Sequence, residues 1–137
     1  LNNFLKQNKY PEFEIKNDKD TFWKIISELP SNIPIVVFSR KGLAIEKLSK
    51  IKGDVDLTIF TDSIKTSTIC SFRSYAKTFY ISKFDESKKN TYIYSALKKY
   101  KNTIFKKNKS IILIYISYPR KASRANTIAL VEKKDFN

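Results

Sequence analysis

Ile33-Pro34-Ile35-Val36-Val37-Phe38-Ser39-Arg40-Lys41-Gly42, followed at once by Leu43-Ala44-Ile45-Glu46-Lys47-Leu48-Ser49, decides the fold. A short run of β-branched and aromatic residues stops at a small polar residue and a Gly, then gives way to a 3.6-residue period. That pattern reads as a buried parallel strand feeding a helix. At such a turn the helix N-terminus presents N–H groups and a partial positive charge, and in open α/β sheets ligands collect there. Spacing alone leaves two readings of Ser39-Arg40-Lys41-Gly42, a plain tight turn with solvated cations or an anion site.

Working outward, Phe22, Ile25, Ile26 and Leu29 recur at helical spacing between the capping residues Asp18 or Asp20 and the stop at Pro30. Residues 1–17 are polar, with Leu1, Phe4 and Leu5 as a small apolar cluster and Pro11 as a breaker. They read as a helix end plus a linker from an upstream domain. Downstream, Ala44, Ile45, Leu48 and Ile51 mark a helix that closes near Gly53, and residues 55–60 form a second strand. Thr61-Asp62-Ser63 reads as a helix cap, and the following helix is expected to turn Ile69, Phe72 and Ala76 inward. Residues 78–81 give a third strand, and Ile93, Leu97, Tyr100 and Ile104 a fourth helix after a polar loop. Residues 110–115 are the most apolar strand, and 127–131 return antiparallel, since no helix fits between them. The expectation is a three-layer α/β/α domain over residues 18–133, with a mostly parallel five-stranded sheet, an antiparallel edge strand, and a charged tail at 134–137.

Composition narrows the function classes. A chain of 137 residues with 42% hydrophobic residues supports one core. The longest apolar run, Ile111 to Ile116, falls far short of the roughly 20 residues of a membrane helix, which points to a soluble chain. The absence of Met, even at position 1, reads as a piece of a longer polypeptide. With no His and one Cys, Cys70, there is no Cys/His metal set and no Cys-His nucleophile pair, and Cys70 reads as a core residue. The net charge of +14 suggests a polyanion partner. Against that, only four of the 27 basic residues are Arg and the cations are spread along the chain. Base reading leans on Arg. The tyrosines at 75, 80, 92, 94 and 100 are spaced for packing rather than for a stacking platform.

A second cationic stretch, Tyr118-Pro119-Arg120-Lys121-Ala122-Ser123-Arg124, joins the last two strands and holds two of the four arginines. In a doubly wound sheet it lies at the same edge as the first turn and is placed to close over a phosphate there. Ser39, Arg40, Lys41, Gly42, Arg120, Lys121 and Arg124 are therefore the candidate phosphate-binding residues.

Three stretches resemble the C-terminal domain of pyruvate kinase. Ile35-Val36-Val37-Phe38-Ser39-Arg40-Lys41-Gly42 is similar to that family's strand and "T-x-S-G" turn. Ile104-Phe105-Lys106-Lys107-Asn108-Lys109-Ser110-Ile111-Ile112-Leu113-Ile114 resembles its "G-F-F-K-K-G-D-x-V-I-V" segment, and Asn126-Thr127-Ile128 its "T-N-T-M". The resemblance spans roughly residues 18–133. It implies a non-catalytic domain that forms a tetramer interface and, in many members, binds a sugar-phosphate effector between the turn and the loop before the last strand. It also implies that phosphoryl transfer from phosphoenolpyruvate to ADP, with Mg²⁺ and K⁺, belongs to an upstream barrel, so no cofactor is expected here. Ser39 stands for the family Thr and Gly42 is retained. Lys41 replaces Ser, and Tyr118-Pro119-Arg120-Lys121-Ala122-Ser123 replaces "W-R-P-G-S-G" without its glycines. The implied compartment is cytoplasmic, or a plastid-type organelle. The alternatives are a basic nucleic-acid-binding domain and another small sugar-phosphate-binding α/β domain.

Overall fold

The computed structural model describes residues 12–16, 19–40, 42–52, 55–73, 77–81, 89–116 and 125–136. Side-chain alternation along its strands sets the layers. Ile35 and Val37 point into one core, and Val36 and Phe38 into the other. Ile112 and Ile114 likewise face away from Ile111, Leu113 and Tyr115. A strand apolar at every position is stable only where both faces are covered, and helices cover both.

The strands are β1 (Glu12–Lys16), β2 (Ile35–Ser39), β3 (Leu57–Thr61), β4 (Lys77–Tyr80), β5 (Ser110–Ile116) and β6 (Ala125–Glu132). They form one sheet in the order β1-β6-β5-β2-β3-β4. β5, β2, β3 and β4 are mutually parallel, whereas β6 is antiparallel to both of its neighbours. The helices are α1 (Lys19–Ser27), α2 (Gly42–Ile51), α3 (Ile64–Arg73), α4 (Lys89–Lys99) and α5 (Lys101–Phe105), with a 3₁₀ turn at Lys133–Phe136. Phe22 and Ile26 of α1, Ile45 and Leu48 of α2, and Cys70 of α3 pack on one face. Ile93 and Leu97 of α4, Ile104 and Phe105 of α5, and Phe136 pack on the other. The direction of travel accounts for this split. The chain steps β2 to β3 to β4 with helices on one face, then jumps back to β5, and a right-handed crossover in the reverse direction must use the opposite face.

The α/β class and the mostly parallel sheet are as expected, but three details differ. The sheet has six strands, because residues 12–16, read as linker, pair antiparallel with β6 from Glu12↔Ala129 to Lys16↔Ala125. Their outward neighbour is thus supplied from a distant part of the chain, and β6 is interior rather than an edge. The expected tail is ordered as the 3₁₀ turn, since Phe136 is fully buried against Phe105 and Tyr94, with ring centroids 6.0 and 5.2 Å away. In α3 the buried positions are Thr66 and Cys70, and Ile69 and Phe72 face outward. The Ser63 hydroxyl accepts from the Thr66 N–H at 3.2 Å and fixes that helix phase at its first turn.

Two local ties hold helix ends. The ammonium of buried Lys52 donates to the Leu29 carbonyl just past α1 at 2.5 Å, satisfying an acceptor that the helix leaves open. After α5 the Asn108 N–H donates to the Phe105 carbonyl at 2.8 Å, across a turn in which Lys106 takes φ 52°.

Two stability predictions concern the C-terminal turn. Phe136→Ala is expected to cost about 3–5 kcal/mol in a denaturant titration, the range for a fully buried Phe. Asp135 has a carboxylate oxygen that is buried without a hydrogen-bond partner, and burial pushes its pKa above the usual carboxylate range. The folded state therefore holds that proton more tightly than the unfolded chain, so stability falls as pH rises through the carboxylate range. Asp135→Asn should raise the thermal midpoint at neutral pH and leave it unchanged at about pH 3, where both states are protonated.

Candidate functional site

The C-terminal ends of the parallel strands carry the polar residues. β2 ends in Ser39 and β3 in Thr61, and both side chains are fully buried. The chain order reverses between β2 and β5, the neighbours from which it departs to opposite sides, so the crevice of this sheet opens above these two strands. Ser39 is in register with Ile116, the last residue of β5. The connection from Ile116 to Ala125 thus leaves and rejoins the sheet at the edge where the Ser39 turn lies.

Arg40 follows Ser39 out of the strand, and Asp62 follows Thr61. Since Phe38 is level with Phe60, the two side chains emerge at equal height on adjacent strands. Arg40 Nε donates to Asp62 Oδ1 at 2.7 Å, and Nη2 to Oδ2 at 2.6 Å. Asp62 is 1% exposed and Arg40 22%, so the pair is a bidentate bridge rooted inside the domain and open to water at its cationic end. The first turn of α3 completes it. Thr66 Oγ1 donates to the Arg40 carbonyl at 2.6 Å, and the Ser63 N–H donates to Thr61 Oγ1 at 3.2 Å.

Of the expected phosphate-binding set, Ser39 and Arg40 are described at this edge, and Gly42 is the first residue of α2. Lys41, Arg120, Lys121 and Arg124 lie outside the described residues. Arg40 is committed to Asp62, so its guanidinium reaches an incoming anion as half of a neutralised pair. Asp62 was read as part of a cap. Ser63 supplies the cap, and Asp62 supplies the counter-charge. Its signal in the sequence is positional: an acid two residues past Phe60 mirrors a base two residues past Phe38.

Among the described residues no group of three or more His, Cys, Asp or Glu is arranged to hold a metal. No helix among them is long and apolar enough to cross a membrane. A scan against protein-family models finds no match, and neither does a search of curated proteins.

The asymmetry of the pair gives a prediction. Arg40→Met strands a carboxylate that is almost wholly buried, and is expected to cost about 3 kcal/mol. Asp62→Asn leaves a guanidinium that still reaches water, and should cost less, about 1–2 kcal/mol. The double variant should be more stable than the two losses summed, as read in a double-mutant cycle by urea unfolding.

Proposed function

We propose that this chain is the C-terminal oligomerisation and effector-binding domain of a divergent pyruvate kinase. The observation that carries the reading is the junction of β2 with β5. The Ser39 turn and the connection into the antiparallel β6 meet at one sheet edge, where the resemblance puts the two walls of an effector pocket. The three stretches that carry the resemblance fall on β2 with its turn, on α5 through β5, and on β6, in the order it requires. The parent enzyme would transfer phosphate from phosphoenolpyruvate to ADP on an upstream barrel with Mg²⁺ and K⁺. This domain would add a tetramer interface, in the cytoplasm or a plastid-type organelle.

The effector on this reading is a sugar phosphate. The N–H groups that open α2 at Gly42 supply its dipolar contact. Lys41, Arg120, Lys121 and Arg124 supply point charges in place of the lost glycines of the family loop. Arg40 braces the turn through Asp62 rather than serving as the main anion ligand.

A thermal-shift titration with fructose 1,6-bisphosphate, other sugar phosphates and inorganic phosphate tests this. A ligand specific for the folded chain stabilises it by about 2.7 kcal/mol at one hundred times its Kd. A bisphosphorylated sugar is expected to raise the midpoint, and Lys41→Gln with Lys121→Gln to abolish the rise while leaving the unliganded midpoint in place. No shift with any sugar phosphate, or a shift untouched by that double change, would overturn the effector assignment.

A further inference from the structure

α3 is built with its polarity reversed. Its buried side is Thr66 and Cys70, whereas Ile64 is 68% exposed, Phe72 90% and Ile69 36%. Ile64, Thr68 and Phe72 stand at i, i+4 and i+8 and form one ridge along the outer face. Tyr80 of β4 is the remaining large hydrophobic exposed among the described residues, at 45%. It belongs beside that ridge. Tyr80 is in register with Thr61, just before α3 begins, and alternation sends it to the side opposite Phe79, which packs in the α4–α5 core. All four exposed large hydrophobics therefore fall on one β3-α3-β4 unit at the edge of the sheet.

The charge around them has one sign. From residue 63 to residue 84 the chain carries Lys65, Arg73, Lys77 and Lys83 and no acidic residue. Lys65 and Lys77 are exposed, and neither is in an ion pair among the described residues. A second copy of the chain docking α3 on α3 would set basic on basic. A nucleic acid could use the cations and the two aromatics, but it would leave Ile64 and Ile69 without an apolar partner. A helix that offers an apolar stripe flanked by Asp or Glu satisfies both the ridge and the charge.

We propose that the outer face of α3, with Tyr80 beside its first turn, is a docking site for an acidic amphipathic helix of a partner protein. The apolar stripe of the incoming helix packs along Ile64, Thr68 and Phe72, and its carboxylates face Lys65 and Lys77. The geometry is helix on helix, with the edge strand as a side wall.

The test uses the full chain and a fluorescently labelled peptide of Glu-rich helical repeats with Leu at i, i+3, i+4 and i+7, read by anisotropy. Saturable binding is expected, weakened about tenfold by Phe72→Ser and by Ile64→Ser, the loss typical of a central apolar anchor. The thermal midpoint of either variant should match that of the parent chain, because both side chains are solvent-facing. Lys65→Gln with Lys77→Gln should also weaken binding and flatten its salt dependence, which tests the site without touching the ridge. The same peptide with Ser for Leu should not bind. Equal binding of that Ser peptide, indifference to Phe72→Ser and Ile64→Ser, or no binding of the Leu peptide would each overturn the proposal. A single-stranded oligonucleotide whose binding Phe72→Ser abolishes would replace it with a nucleic-acid site. A dimer in sedimentation that Phe72→Ser dissolves would replace it with self-association.

Discussion

Four parallel strands each place one aromatic ring at the same height, and the sheet depends on that row. Tyr115, Phe38, Phe60 and Phe79 are register partners across β5, β2, β3 and β4. Phe38 stacks on Phe60 at 5.0 Å and Phe60 on Phe79 at 5.5 Å, while Tyr115 meets Phe38 edge to face at 6.5 Å. Tyr100, between α4 and α5, closes the file against Phe79 at 4.3 Å. A slip of one residue in any strand would carry its ring to the opposite face, so the row permits one register for the four. It also requires the return crossover to lie over it, because only α4, α5 and the C-terminal turn cover that side.

Everything at the candidate site is a consequence of that register. The residues one and two places past the rings, Ser39 with Arg40 and Thr61 with Asp62, are held level with one another before any polar contact forms. The bidentate bridge then works as a clasp between two strand ends, with little side-chain entropy left to lose. Burying the carboxylate is costly in itself, and the pair offsets this only because both oxygens are met at 2.6–2.7 Å. The effect on anion chemistry is subtractive. An arginine that stands at a strand-to-helix turn resembles a phosphate ligand until its neighbour strand is laid beside it.

How much of this was legible in the sequence follows from the range of each interaction. β2 through β5 were readable because a strand buried on both faces is apolar throughout, a signal contained within the strand. Glu12–Lys16 was not, since its place depends on pairing with residues 125–129, more than a hundred positions away, and Pro11 beside it argued for a break. The C-terminal turn is decided by one ring, Phe136, set among charged residues. The inward face of α3 was misassigned because hydrophobicity was taken as the sign of burial. The core under that helix is already filled by Leu57 and Ile59 of β3 with Leu48 of α2, and it accepts only the small Cys70 and the hydroxyl of Thr66.

That same hydroxyl links the two regions of interest. Thr66 packs inward and donates to the Arg40 carbonyl, so the first turn of α3 is bonded to the turn that opens α2. Ile64, two residues earlier, belongs to the exposed ridge. Load applied to the outer face of α3 therefore reaches the Arg40 turn through one helical turn and one hydrogen bond, without crossing the sheet. Contact of this kind becomes regulation only if the turn has two arrangements for a partner to choose between. The Arg40–Asp62 bridge is the element whose making and breaking would supply them. The buried carboxylate makes the closed form the resting one: opening strands Asp62 in the interior, so a partner on α3 would have to oppose that whole penalty to release Arg40, and far less to reinforce it.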